Sequence, residues 1–567
     1  MRGLLFLTLN VICSLPSARA YAPRVGSPRQ RARCSATVEK PRVGSEAGFE
    51  FDLDLAQTDG QTPEEIVRAA RDALKGEFEA IDARTQRNMR KVLQAFKKRR
   101  VGAGEVNGGV DGYAHGDLGR EAIDGVYADI LGAEAAMVRS QIFSGTHAIS
   151  CALFSCLRPG DTMLAISGAP YDTLEEVIGL RPPSPPEEYE FGVSQSPKSS
   201  DALDDGLDLS GLPLDGSLRE WGIEYQEVPL LEDATFDLDA IDAALEKHPS
   251  TRLIHVQRSC GYAWRSALPI QEIKRVCDHV AVINRGRREE RKKALGGGSP
   301  EGGPGGGSGS PKTPPAKEEQ EEAALPRELV VFVDNCYGEF VEDLEPCHVG
   351  THLVAGSLIK NPGGTLARTG GYVAGRKELV AAAARRLSAP GVGGGATLGQ
   401  NRWILQGLFQ APGTVAESVK GAMLVAQVLG GSLGMPCSPP PVPLGGQAAT
   451  AGESGRPRSD IVQKVRMGSR ETMVRFCEAV QRNSPVGAFI RPTPGQSSGY
   501  GGEVVFADGS FVDGSTAELS ADGPLRPPFT AYAQGGTNHA HWAIILEDML
   551  EGLTAQEKGN DPIQPCA

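Results

Sequence analysis

Between residues 120 and 380, short continuous apolar runs alternate with helical patterns. Ala135 to Val138, Thr162 to Ile166, Ile223 to Val228, Leu253 to Val256 and Val330 to Val333 read as strands. Thr146 to Leu157, Leu174 to Ile178 and Leu238 to Leu245 read as the helices between them. Strands apolar on both faces are buried on both faces, so the pattern predicts an α/β chain with a mostly parallel sheet between helices.

Low-complexity tracts interrupt this alternation. The 567 residues include 71 glycines and 40 prolines, and much of the excess falls in 1–44, 182–216, 285–326 and 436–458. Such composition does not recover its ordering entropy by burial, and the internal tracts read as disordered insertions. The Gly-rich tract lacks a preceding strand and a G-K-[ST] ending, so it is no phosphate loop. The expected plan is a targeting segment over 1–44, an N-terminal helical segment over 45–110, and a large domain over 111–410. A smaller α+β domain over 411–555 and a tail over 556–567 complete it. Thr62-Pro63-Glu64-Glu65 opens the first helix with a hydroxyl cap, proline at N1 and acids in the first turn.

Charge and cysteine usage exclude several classes. A net charge of −13 argues against a nucleic-acid binder that relies on a basic field. No run reaches the roughly 18 apolar residues of a membrane span, so none is expected in the mature chain. The 11 cysteines contain no C-x-x-C pair and read as buried side chains in a reducing compartment. His348 and His352 have the spacing of a zinc pair on a helix, without the accompanying Glu pattern; no metal is expected. At the N-terminus, Arg2, the apolar run Leu4 to Leu15 and Ala18-Arg19-Ala20 form a secretory-type signal. The Arg- and Ser-containing stretch that follows has transit-peptide composition. This order resembles the presequences of proteins imported into the plastids of complex-plastid algae, with Ala20-Tyr21-Ala22-Pro23 at the cleavage motif; plain secretion is the alternative.

Three features carry chemistry. Ser144-Gly145-Thr146 lies between a strand and a helix and presents free backbone N–H groups and two hydroxyls to an anion. Asp334 closes the strand Val330 to Val333, at the sheet edge where α/β ligands bind. Lys360 sits in the apolar, Gly-rich Ser357-Leu358-Ile359-Lys360-Asn361-Pro362-Gly363-Gly364, where burial is expected to lower its pKa toward that of a Schiff-base lysine. A phosphate turn, then an aspartate, then a lysine is the layout of fold type I pyridoxal-phosphate enzymes.

The resemblance extends to a family. Gly112-Tyr113, Asp117-Leu118-Gly119-Arg120-Glu121, Pro170-Tyr171-Asp172-Thr173-Leu174-Glu175, Val256-Gln257-Arg258-Ser259, the block around Lys360 and Glu518-Leu519-Ser520-Ala521-Asp522-Gly523-Pro524-Leu525-Arg526 occur in family order. They resemble the methionine gamma-lyase family, also called aluminium-resistance proteins and related to cystathionine beta-lyases. The resemblance covers about 50–550 without the insertions, and implies the fold type I transferase-like architecture and pyridoxal 5'-phosphate as cofactor. It implies Lys360 as Schiff-base lysine and proton shuttle, Asp334 on the pyridine nitrogen, and Ser144, Gly145, Thr146 and Ser357 on the phosphate. Tyr171 is placed to stack on the ring or is an ordinary half-buried tyrosine, and Tyr113 to reach a neighbouring subunit's cofactor. Arg526 is the choice for the substrate carboxylate, with Arg258 and Arg491 competing. Where the family usually reads Gly-Tyr-Gly-Tyr, this chain has Gly112-Tyr113-Ala114-His115. The implied activity is elimination of a sulfur leaving group from Cβ or Cγ of a methionine-, cysteine- or cystathionine-like amino acid, in a homodimer or homotetramer. Transamination or racemisation on the same scaffold, and a catalytically idle stress-related protein, are the alternatives.

Overall fold

The computed structural model describes residues 60–182, 216–295, 327–443, 458–497 and 500–557. The targeting segment expected over 1–44, most of each insertion and the tail lie outside these residues.

Three helices come first: α1 (Pro63–Ala73), α2 (Lys75–Lys98) and α3 (Ala103–Asn107). Thr62 caps α1 in a capping box with Glu65, as its sequence predicts. The α/β region follows as α4 (Leu118–Leu131), β1 (Ala135–Arg139), α5 (Gly145–Cys156), β2 (Thr162–Ala165), α6 (Asp172–Ile178) and β3 (Glu224–Glu227). It continues through α7 (Leu238–Lys247), β4 (Thr251–Gln257), α8 (Ile270–Leu295), β5 (Val330–Asp334), β6 (Leu353–Ser357), β7 (Gly371–Gly375) and α9 (Lys377–Leu387). The long helix α10 (Asn401–Val425) leads to β8 (Cys437–Ser438), β9 (Val462–Arg466), α11 (Arg470–Arg482), β10 (Gly495–Gln496), β11 (Glu503–Ala507), β12 (Ser520–Pro524), β13 (Thr530–Gln534) and α12 (His539–Glu557).

The first seven strands form one sheet in the order β1-β7-β6-β5-β4-β2-β3, in which only β7 runs against the others. Its central strands β2, β4, β5 and β6 are buried along almost their whole length, which is why they read as continuous apolar runs. The last six strands form a separate antiparallel sheet, β10-β11-β12-β13-β9-β8. Ile66, Val67, Ala70 and Leu74 of α1 join the core of this second sheet.

Two boundaries differ from expectation. The tract expected to leave the fold at 285 continues as helix to Leu295, because Asn284 exchanges two hydrogen bonds with the Leu329 backbone and Arg287 donates to the Arg327 carbonyl. The charged run is therefore the outer end of α8. The expected boundary at 410 falls inside α10, whose early residues Ile404, Leu405, Leu408 and Ala411 pack in the first core and whose last, Leu424 and Val425, pack in the second.

Candidate active site

A cavity of about 350 Å3 opens at the carboxyl ends of β4, β5 and β6 and is closed from the other side by β11, β12 and β13, a volume within the range of small-molecule sites. Three of its walls come from the residues singled out in the sequence. Ser144 caps α5, its hydroxyl accepting from the His147 N–H, so that the first turn of the helix faces the cavity. Gly145 keeps this turn close to its neighbours, since a Cβ would press on the Ser357 Cβ at 3.3 Å and the Cys336 Sγ at 3.4 Å. Asp334 is buried at the end of β5 and accepts from the Cys336 N–H at 3.1 Å.

Lys360 follows β6 on a turn that is clamped from behind. Neither Gly364, at φ +51°, nor Gly407 of α10 has room for a Cβ, because the two backbones touch. From the second sheet's side, the Ser515 hydroxyl donates to the Ile359 carbonyl at 2.8 Å. The Lys360 Nζ stands 4.0 Å from the centre of the Tyr337 ring, and Tyr337 itself is held at φ 69°, a strained conformation of the kind that gathers at functional sites.

The expected lowering of the Lys360 pKa is overturned. Burial alone pulls it down, but the acidic groups of Cys336, Tyr337, Tyr171 and Asp334 outweigh burial and hold the ammonium well above its ordinary range. Asp334 is raised by burial and drawn back by Lys360.

The remaining expected residues divide. Tyr171 lines the cavity, its hydroxyl 2.8 Å from the Thr146 Oγ1 and its N–H donating to the Gln257 Oε1; burial pushes its phenol up. Arg258 is corrected: its side chain is 0% exposed and engaged with the Asn335 Oδ1 at 2.8 Å and Glu342 at 2.5 Å, away from the cavity. It is a buried strut under the turn that follows β5. Arg526 is exposed in the β12–β13 turn and is not among the lining residues, though its charge reaches Glu175 and Tyr532. Arg491 is exposed and paired with Glu478. Tyr113 is 69% exposed and outside the lining. His348 and His352 form no helical pair: each Nδ1 accepts a backbone N–H, from Glu345 and Val331. No metal-binding group occurs among the described residues, and the eight described cysteines are free thiols.

Sequence reasoning missed Tyr262, Tyr337, Tyr500, Thr516 and Asp522, all of which line the cavity. Asp522 lay within a quoted motif, four positions from the arginine chosen from it.

The Ser357 hydroxyl is buried, lines the cavity beside the α5 N-terminus, and has no hydrogen-bond partner. An anion held by the α5 backbone N–H groups would satisfy it, and a ring beside Tyr171 would bring Asp334 and Lys360 to its reactive positions; these residues fit pyridoxal phosphate. A mostly parallel seven-stranded sheet carrying a strand-end aspartate and a buried lysine defines a fold type I pyridoxal-phosphate-dependent enzyme.

The methionine gamma-lyase family model matches residues 63–196, 190–286 and 321–554. The chain belongs to the methionine gamma-lyase family, and is with it a pyridoxal-phosphate-dependent carbon-sulfur lyase. It is 38% identical to the uncharacterised Bacillus subtilis protein YnbB over 85% of this chain and 94% of that one. Among solved structures it is similar to a carbon-sulfur lyase involved in aluminium resistance from Clostridium novyi, at 33% identity and a TM-score of 0.68, covering 87% of this chain and 96% of that one. A Bacillus cereus protein is 36% identical with a TM-score of 0.66, covering 86% of this chain and 98% of that one.

Proposed function

We propose that the chain cleaves the Cβ–S or Cγ–S bond of a sulfur-containing L-amino acid, with Lys360 as the residue that moves the α-proton. The observation that carries this reading is the convergence of Lys360, Asp334 and the unpartnered Ser357 hydroxyl on one cavity. Pyridoxal phosphate, when bound, supplies an electron sink for the carbanion formed at the substrate α-carbon. Ser144, Gly145, Thr146 and Ser357 hold its phosphate, Asp334 pairs with its ring nitrogen, and Tyr171 walls its face. Lys360 takes the α-proton and returns it further along the substrate. In sum the carbon–sulfur bond breaks and one water is consumed, giving a thiol, ammonia and a 2-oxo acid. With Arg258 engaged elsewhere, Arg526, whose charge reaches Tyr532 of the lining, remains the candidate for the substrate α-carboxylate.

The site is completed by a second copy. Tyr113, Leu118, Phe143 and Leu398 are exposed yet firmly held: Arg120 donates to the carbonyls of Ala114 and Gly395, and Thr397 to Asp117. These exposed apolar side chains, with Phe143 next to Ser144 in sequence, suit an isologous homodimer interface that delivers Tyr113 to the partner's cavity. The presequence composition supports action in a plastid.

The test is an absorption spectrum of the chain from about residue 45, reconstituted with pyridoxal phosphate, beside Lys360→Ala. A visible band that is lost in the variant, and a thiol and 2-oxo acid released from L-methionine, L-cysteine or L-cystathionine, are the expected results. A wild-type chain that reconstitutes without a visible band, or one whose band no sulfur amino acid perturbs, overturns the reading.

A further inference from the structure

The second sheet turns one face toward the cavity, and its composition is unusual for a site that binds amino acids. Ser520 and Asp522 are two apart on β12 and so share a face. Across the ladder Ser520 pairs with Gln534 and Asp522 with Tyr532, and all four line the cavity. The Asp522 carboxylate accepts from the Tyr262 hydroxyl at 2.6 Å and from the Gln534 amide at 3.3 Å. Around it, the Tyr262 ring lies 4.9 Å from that of Tyr532 and 5.8 Å from that of Tyr500, which in turn meets Phe506 edge-on.

Neither hydrogen bond to Asp522 brings a positive charge. The lining contains Asp172, Asp334, Asp508 and Asp522 but, among the described residues, Lys360 is its one lysine or arginine. Two hydroxyls on this wall, of Thr516 and Ser520, are buried without a hydrogen-bond partner, and Ser520 as a residue is only 5% exposed. Burial raises Asp522 to about 6, the Tyr262 hydroxyl drawing it back, Asp508 adding to the rise and Lys360 opposing it, so the carboxylate is charged at neutral pH but at a cost. A carboxylate backed by tyrosine rings is the arrangement that desolvates and holds an organic cation.

Resting on the lyase reading above, we propose that Asp522, with Tyr262, Tyr500 and Tyr532, receives a positive charge carried at or beyond the substrate sulfur, so that the enzyme selects sulfur amino acids that bear such a charge without a carboxylate beside it. Two chemical sources supply such a charge: a second ammonium beyond the sulfur, or a sulfonium at the sulfur itself. A neutral thioether leaves the carboxylate with only the charge of Lys360 to offset it, and the site discriminates against it. Asp522 is a specificity residue in this scheme and carries no proton in the elimination.

The test compares kcat/KM for S-(2-aminoethyl)-L-cysteine, S-methyl-L-methionine and L-methionine in the reconstituted wild type, Asp522→Asn and Asp522→Glu. Calorimetric binding of the same three to the reconstituted Lys360→Ala variant, with and without Asp522→Asn, supplies a readout independent of turnover. The expected result is a preference for one or both cationic substrates over L-methionine of about tenfold or more. Asp522→Asn abolishes that preference, the cationic substrates losing about tenfold more than L-methionine, and Asp522→Glu retains part of it. Whether the aminoethyl substrate or the sulfonium carries the preference identifies the source of the charge. A wild type that favours L-methionine, or an Asp522→Asn variant that weakens all three equally, overturns the proposal and leaves the lyase reading standing. Absence of any turnover defeats the lyase reading, and the binding ratios then decide the role of Asp522 by the same criterion.

Discussion

A carboxylate held at a raised pKa works against the fold that contains it. Asp522 titrates near 6 in the native chain against about 4 when unfolded, so at neutral pH the native state carries a penalty that the unfolded state does not. That penalty is relieved as the pH falls through about 6 toward 4, where the native chain takes up its proton first. Asp522→Asn removes the charge and keeps the shape and the Tyr262 contact, so it should stabilise the substrate-free protein by about 1–2 kcal/mol at pH 7, after allowance for partial solvent access. The gain should shrink toward zero by about pH 4, as seen in urea midpoints across that range. A variant that is less stable than wild type at pH 7 would mean that Asp522 is compensated by a contact other than these. Functional residues at odds with local stability are a common trade in binding sites, and here the conflict and the specificity have one origin: a negative charge kept in place for a cation that arrives with the substrate.

Elements are tied together by fewer, better-satisfied charges. Glu417 of α10 accepts from the backbone N–H of His539, where α12 begins, meets the same residue's ring at 2.6 Å, and pairs with Lys420, which in turn reaches Asp82 of α2. Burial works against the Glu417 charge, yet the hydrogen bonds from His539 and Lys420 bring its pKa down to about 2. A depressed carboxylate contributes stability that is complete above its unfolded pKa and lost as the pH falls through about 4 to 2. Glu417→Gln should therefore cost about 2 kcal/mol at pH 7 and flatten the acid limb of the stability profile; an unchanged urea midpoint would show that the three helices are held by packing alone. The same scale shows what the sequence could reveal. Strands β2, β4 and β5 were legible because both faces of each are buried, and Ser144, Asp334 and Lys360 because they occupy element ends that punctuation residues mark. The antiparallel course of β7 was not legible, since direction in a sheet is set by crossovers and not by local pattern. Arg258 misled because a long cation in a motif looks alike whether it meets substrate or braces a turn. Tyr262, Tyr500 and Asp522 escaped because they are drawn together from segments far apart in sequence, and only the packing of one sheet against the other makes them neighbours.

At the scale of the whole molecule, one chain lines a cavity with Lys360, the Ser144-Gly145-Thr146 turn and Asp522, but leaves Tyr113 outside it. Isolated exposed aromatics are ordinary on a protein surface, whereas Tyr113 is one of four large exposed apolar side chains, with Leu118 at the start of α4, Phe143 and Leu398, and the turns holding Tyr113 and Leu398 are braced by Arg120 and Asp117. If the partner supplies this tyrosine, each site of a dimer is built from Lys360 of one subunit and Tyr113 of the other. Two inactive variants then complement each other: in a heterodimer of Lys360→Ala with Tyr113→Ala, one site combines both lesions and the other has neither. The differently tagged subunits, co-expressed and purified as the heterodimer, should show about half of the wild-type activity per dimer, while each homodimer stays at background. Sedimentation should give a dimer or a multiple of it. If Tyr113 served the cavity of its own chain, each site of the heterodimer would carry one lesion and no activity would return, so the measurement separates a site shared across an interface from one that a single chain completes.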